Sequence, residues 1–67
     1  MTREQVRQCS VGDIISFQYK RGEVKGEVVF ISKTSVIVRL HKDYQGRNEY
    51  WGKGEKKQCT INEIYES

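Results

Sequence analysis

At 67 residues the chain has room for one small domain, and a domain of this size buries only about 60% of the surface that its unfolded chain exposes. Charged residues make up 31% of the chain, apolar residues make up 36%, and the formal net charge is +3, which is the composition of a folded domain rather than a disordered segment. The thin core argues against an enzyme. No apolar run approaches the ~20 residues that cross a bilayer, and the start of the chain, residues 1–5, is polar rather than signal-like. We therefore predict a cytoplasmic protein without a membrane partner.

The chain begins with a polar arm, residues 1–10. Thr2 is placed to cap a helix, with Gln5 three residues later, so the arm is predicted to form at most one helical turn. A turn at residues 11–13 then opens the first strand. Along this strand, apolar residues alternate with polar ones in the two-residue period of a half-buried strand, and they are Ile15, Phe17 and Tyr19.

The second predicted strand is apolar on both faces toward its end. One face holds Val24, Gly26, Val28 and Phe30, and the opposite face holds Val29 and Ile31. Apolar residues on both faces indicate that the strand bends, as a long strand of a barrel must. Gly26 offers a place for a bulge or for close approach of a neighbouring backbone.

The third strand follows as a hairpin after a tight turn at residues 32–35, and its alternating apolar residues are Val36, Val38 and Leu40. Residues 42–57 are polar and contain glycine, with a short strand predicted around 49–51. Alternation returns at residues 57–61, and residues 62–65 are predicted to form a closing turn in which Ile64 packs on the core. No segment shows a helical period.

These elements predict an all-β fold: a small five-stranded SH3-like barrel with strongly bent antiparallel strands over residues 11–67, after the arm at 1–10. The segments 12–17, 26–31 and 35–38 resemble the KOW-type opening of SH3-like barrels. Gly26, Val28 and Ile31 match the Gly-x-Val-x-x-Ile second strand of that pattern. The chain also resembles very small barrel proteins of Gram-positive bacteria and their phages, which share the Ser-Val-Ile-Val third strand.

The resemblance covers roughly residues 11–41 and implies a fold rather than a function, because related barrels bind RNA, DNA, ribosomal surfaces or peptides. The basic residues that usually flank the KOW glycine are reduced here to Lys20, Arg21 and Lys25, set among Glu23 and Glu27. This departure argues against nucleic-acid contact by the hairpin between the first two strands.

The strongest charge feature lies in residues 39–57, where six basic residues face three acidic ones, an excess equal to the net charge of the whole chain. The stretch is also rich in aromatic residues. A basic surface with interleaved aromatics suits single-stranded nucleic acid, because cations track the phosphates and rings stack on the bases. The predicted binding residues are Arg39, Lys42, Tyr44, Arg47, Tyr50, Trp51, Lys53, Lys56 and Lys57.

The same stretch is also consistent with roles that do not involve nucleic acid. A charge of +3 is ordinary, and lysines on edge strands often serve only to prevent aggregation. The alternative to an RNA or DNA partner is a protein partner, such as a host protein bound by a phage product, with Tyr44, Tyr50 and Trp51 as hot spots. Self-association is a third role, and we expect a monomer or a weak homodimer.

Neighbouring residues on a strand point to opposite faces, so one of Tyr50 and Trp51 is predicted to lie in the core and the other on the surface. Tyr19 and Tyr65 are predicted at the barrel end with their hydroxyls in water. His41 is predicted on a solvent-facing rim.

No catalytic motif is present, because His41 has no nucleophile in a recognisable arrangement and there is no phosphate-binding loop. Cys9, Cys59 and His41 are too few ligands for zinc. We expect two free, half-buried thiols, with a disulfide between neighbouring strands as the alternative. The sequence therefore predicts a non-enzymatic binding module without a metal or cofactor.

Overall fold

A computed structural model describes residues 1–65, and the last two residues of the predicted barrel, 66 and 67, lie outside this range. The described chain is mostly β. It begins with helix α1 (Arg3–Arg7), and a 3-10 turn (Ile61–Glu63) precedes the last strand. The strands are β1 (Ile14–Tyr19), β2 (Gly22–Ile31), β3 (Ser35–Leu40), β4 (Tyr44–Gln45), β5 (Tyr50–Trp51), β6 (Lys56–Thr60) and β7 (Ile64–Tyr65).

Helix α1 is the single turn that the sequence predicts. The Thr2 hydroxyl accepts from the backbone N–H of Gln5 at 3.2 Å, and the Gln5 side chain accepts from the backbone N–H of Thr2 at 2.8 Å. The sequence did not indicate that Val6 is fully buried in the core. A hydrogen bond of 2.9 Å from Nε of Arg3 to the carbonyl of Ile64 joins this turn to β7.

Five strands form one antiparallel sheet in the order β6, β3, β2, β1, β7, and β4 and β5 form a separate hairpin. The edge strands β6 and β7 are joined by the three residues of the 3-10 turn alone. In a flat sheet the edges would lie ~19 Å apart, whereas four steps of a 3-10 helix span only ~8 Å. The sheet must therefore curve strongly, although no ladder between β6 and β7 closes it within residues 1–65.

The core lies on the concave side of this sheet and follows the predicted alternation. Ile15, Phe17 and Tyr19 point inward from β1, and every second residue of β3 does the same. The expectation that the Tyr19 hydroxyl lies in water is wrong. Tyr19 is 3% exposed, and its Oη accepts from the backbone N–H of Thr60 at 3.1 Å.

Strand β2 bends through a β-bulge. Val28 pairs with Val38 but Phe30 pairs with Ile37, so Val29 is the extra residue. The bulge turns Phe30 outward, where it is 53% exposed, and the expectation that it shares a face with Val28 is wrong.

Gly26 confirms the other expectation for this strand, that a neighbouring backbone comes close at a glycine. A Cβ atom there would overlap the carbonyl group of Arg39 on β3.

The predicted closing turn contains a strand. Ile64 is fully buried, as expected, but it also pairs with Tyr19, and Tyr65 pairs with Gln18. Residues 64–65 are therefore the fifth strand of the main sheet. The short strand predicted around 49–51 is present as β5 and belongs to the separate hairpin.

Candidate functional site

The nine predicted binding residues do not form one surface. Tyr44 and Lys57, both predicted as surface residues, lie in the core. Tyr44 is fully buried, and its hydroxyl donates to the carbonyl of Tyr19 at 2.8 Å. These two residues cannot contact a partner.

Lys57 is 3% exposed, and its ammonium lies 2.9 Å from Oε1 of Glu49. This hydrogen bond holds the pKa of the Glu49 carboxyl below its ordinary value. The ammonium also lies over three rings, at 5.2 Å from Tyr19, 4.8 Å from Tyr44 and 4.6 Å from Trp51. The lysine therefore fastens β6 to the β4–β5 hairpin.

Tyr50 and Trp51 divide as the sequence predicts. Trp51 is half-buried and packs against the core, whereas Tyr50 is 61% exposed. The Tyr50 hydroxyl donates to the Asp43 carboxylate, and this bond lowers the pKa of Asp43. Because Asp43 also accepts from the backbone N–H of Lys53 at 2.7 Å, it holds Tyr50 and Lys53 beside each other.

The same end of the sheet carries two outward cations. Arg39 on β3 and Lys56 on β6 are direct cross-strand partners, and both are exposed. Side chains in such a pair lie ~5 Å apart at Cβ, where like charges repel. No carboxylate within residues 1–65 forms an ion pair with either cation.

Backbone hydrogen bonds link these residues to Lys53. Gly54 donates to the carbonyl of Leu40 at 2.8 Å, and Leu40 donates to that of Glu55 at 2.9 Å, so the turn that carries Lys53 runs beside the end of β3. We call Arg39, Tyr50, Lys53 and Lys56 the sheet-end cluster.

Lys42 and His41 are exposed near this end, and the rim position expected for His41 is confirmed. The backbone N–H of His41 donates to the carbonyl of Lys25 at 2.8 Å. Lys42, in contrast to the sheet-end cluster, is engaged in an ion pair with Glu23, which lowers the pKa of that carboxyl.

Arg47 lies at the opposite end of the β4–β5 hairpin, in its two-residue tip. There it meets the turn between β1 and β2 and the exposed ring of Tyr65. A depression of about 280 Å³ is lined by Lys20, Arg21, Arg47 and Tyr65, which we call the turn cluster. Lys20 is paired with Glu63 at 3.2 Å, and this bond raises the pKa of the lysine.

Within the part of the chain that the structure describes there is no metal-binding cluster, no membrane-spanning helix and no disulfide. No three His, Cys, Asp or Glu side chains in it come together to hold a metal ion. Neither of its helical segments is long and apolar enough to cross a membrane. Both cysteines are free: Cys9 is half-buried as expected, whereas Cys59 is fully buried, which raises its pKa to about 12.

Comparison with known proteins gives no match to a family model, to a curated protein or to a solved structure. The two clusters are therefore the features from which a function can be inferred.

Proposed function

We propose that the protein is a non-enzymatic, cytoplasmic module with an SH3-like barrel fold that binds single-stranded RNA or DNA. The sheet order supports the barrel, because the short connection from β6 to β7 brings the two edges together at one end. The hydrogen bond between Thr60 and the Tyr19 hydroxyl supports it too, since it links β6 to β1 through the interior.

The observation that carries the proposal is that an exposed tyrosine lies among cations in each of the two clusters. Tyr50 lies in the sheet-end cluster and Tyr65, which is 47% exposed, lies in the turn cluster. Cations hold phosphates while ring faces stack on unpaired bases, and only a single strand presents both together.

The test is a fluorescence anisotropy titration with short single-stranded and duplex oligonucleotides at low and moderate salt. We expect single strands to bind more tightly, with an affinity that falls as salt rises. Substituting Arg39→Gln, Lys53→Gln and Lys56→Gln together should weaken binding to all sequences alike and reduce the salt slope by about 2.

The buried Lys57 provides a matched control, because Lys57→Met removes a positive charge that no ligand can reach. Its affinity should fall much less than that of the triple variant, because only the freed Glu49 carboxylate and the general field of the protein change. The absence of binding to either nucleic acid at low salt would contradict the proposal.

Protein binding is the second candidate, and the outward turn of Phe30 favours it. Phe30 is 53% exposed, and Val11 and Ile14 are exposed by 66% and 56%. If Phe30 contacts a protein partner, Phe30→Ser should abolish the complex recovered from lysate and leave oligonucleotide binding unchanged.

A further inference from the structure

The connection between β1 and β2 has a backbone conformation that its residues disfavour. Tyr19 pairs with Gly22, so only two residues form the turn, Lys20 with a φ of 45° and Arg21 with a φ of 68°. Two positive φ angles are the mark of a type I′ turn, for which Asn-Gly is the preferred sequence. Residues with long side chains are strained in this left-handed region.

Strain of this kind is retained where the surroundings or the function require it. Here the strained turn directs two cations toward the depression that Arg47 and Tyr65 also line. An adjoining depression of about 180 Å³ is lined by Lys20, Arg47, Asn48 and Glu49. The four residues of the turn cluster therefore come together from three separate parts of the chain: the β1–β2 turn, the tip of the β4–β5 hairpin and β7.

The charges of the turn cluster leave two guanidinium groups available. Lys20 is paired with Glu63, and Glu49 is paired with the buried Lys57. Arg21 and Arg47 form no ion pair with any carboxylate that the structure describes. Guanidinium groups bind phosphate through two parallel hydrogen bonds, which makes them the preferred residues for this ligand.

We propose that the turn cluster binds one nucleotide unit, with its phosphate between Arg21 and Arg47 and its base on the ring of Tyr65. Lys20 adds positive charge beside the phosphate. The depression of about 280 Å³ has room for a phosphate group, and the base lies outside it on the exposed ring of Tyr65. The inference rests on the proposed nucleic-acid binding and names a site for it.

The decisive variant replaces the turn by its preferred sequence, Lys20→Asn together with Arg21→Gly. Relief of strain should raise the melting temperature by ~5 °C. Loss of the two cations should weaken oligonucleotide binding at least ~10-fold and reduce the salt slope by ~1 to 2. A damaged fold cannot produce higher stability and weaker binding together.

The matched control removes two cations that line a different depression. Arg7 and Lys33 lie around a shallow depression of about 590 Å³ with Ile31 and Ser32, without an aromatic side chain in its lining. Arg7→Gln with Lys33→Gln should weaken binding less than ~3-fold, because only the general field of the protein changes.

Amide NMR shifts locate the ligand when inorganic phosphate, a nucleoside 5′-monophosphate or a short single strand is added. All three should shift residues 20, 21, 47 and 65. The monophosphate should bind more tightly than phosphate, and Tyr65→Ala should remove that difference. Preference for a 5′-phosphorylated strand would assign the site to a terminal phosphate, and equal binding would assign it to a backbone phosphate.

Oligonucleotide binding that the Asn-Gly variant leaves unchanged would overturn this inference, while the proposed function would stand. Phosphate and monophosphate binding at these residues without any oligonucleotide binding would contradict the proposed function instead, and the phosphate site would stand.

Discussion

Lys57 and Glu49 form an ion pair that is open to water on one side only. Their Nζ and Oε1 atoms lie 2.9 Å apart, and the lysine side chain is 4% exposed whereas the glutamate side chain is 36% exposed. Water can solvate the carboxylate without its partner, but it cannot reach the ammonium. Removal of the glutamate should therefore lower the free energy of unfolding by a different amount from removal of the lysine.

Glu49→Ala should lower the free energy of unfolding by ~2 to 3 kcal/mol, because it leaves a buried cation with aromatic rings as its remaining neighbours. Lys57→Met should cost only ~1 kcal/mol, because methionine fills the same space without a charge. Urea denaturation measures both. The double variant should be more stable than Glu49→Ala alone, and equal costs for the two single variants would contradict this account.

The burial of Tyr44 should make the stability of the fold depend on pH in the alkaline range. Burial raises its pKa to about 12, so the folded state holds the phenol proton more tightly than the unfolded state. The contribution of Tyr44 to the free energy of unfolding is then constant below pH ~10 and falls between pH ~10 and the folded pKa. Tyr44→Phe should cost ~1 kcal/mol at pH 7 through the hydrogen bond lost to Tyr19.

Above pH ~10 the Tyr44→Phe curve should fall less steeply than that of the unsubstituted protein, so that the two converge. Cys59, whose pKa is also raised to about 12, contributes the same slope to both curves. Urea denaturation at pH 7 to 11 follows the difference, and parallel curves would show that Tyr44 does not titrate as its burial requires.

Gly26 and Gly52 differ in how much room each leaves for a side chain, so alanine substitutions at the two positions can be compared. A Cβ at Gly26 would overlap the carbonyl of Arg39, which cannot move without opening the β2–β3 ladder. Gly26→Ala should therefore cost ~3 kcal/mol or more. A Cβ at Gly52 would lie 3.3 Å from Oε2 of Glu55, which is on a flexible side chain, and Gly52→Ala should cost less than ~1 kcal/mol. Thermal unfolding compares the two variants, and similar losses would refute this difference in packing.

Two substitutions of Tyr50 distinguish the contribution of its ring to single-strand binding from that of its hydroxyl. Tyr50→Ala should weaken binding to a single strand by ~1 to 3 kcal/mol, the contribution of one stacked base. Tyr50→Phe keeps the ring and loses only the hydrogen bond to Asp43, so its affinity should stay near that of the unsubstituted protein. Anisotropy titration measures both, and equal losses would show that stacking on Tyr50 does not contribute.

The sequence predicts β1 and β3 well because each has one buried face, which leaves a clear two-residue period. It misplaces Phe30 because a single extra residue, Val29, reverses every side chain after it, and alternation cannot locate such a bulge. The burial of Tyr19 also follows from its period, but a tyrosine at a strand end gave no sign that Thr60 would bind its hydroxyl.

The candidate site was harder to predict, because its residues were placed on the surface from their charge and not from their position in the two-residue period of a strand. Lys57 shares its parity with Cys59 and Ile61, and this pattern indicates the core, but a lysine is rarely buried. Arg47 lies within the basic stretch of the sequence, yet the hairpin carries it to the far end. The sequence argued against Lys20 and Arg21 as contacts because Glu23 and Glu27 lie close to them in the chain, but Glu23 is paired with Lys42. Their left-handed turn was not expected, because it lacks the Asn-Gly signal.

The pairing of β1 with β7 has a consequence for folding kinetics. Gln18 meets Tyr65 and Tyr19 meets Ile64 only after most of the chain has been brought together, whereas the β1–β2 and β2–β3 hairpins join near neighbours. Loop closure must precede such distant contacts, so this ladder should form last. Substitutions at residues 64–65 should therefore change the unfolding rate more than the folding rate, whereas substitutions in the longer strands, which contribute most of the core, should change the folding rate.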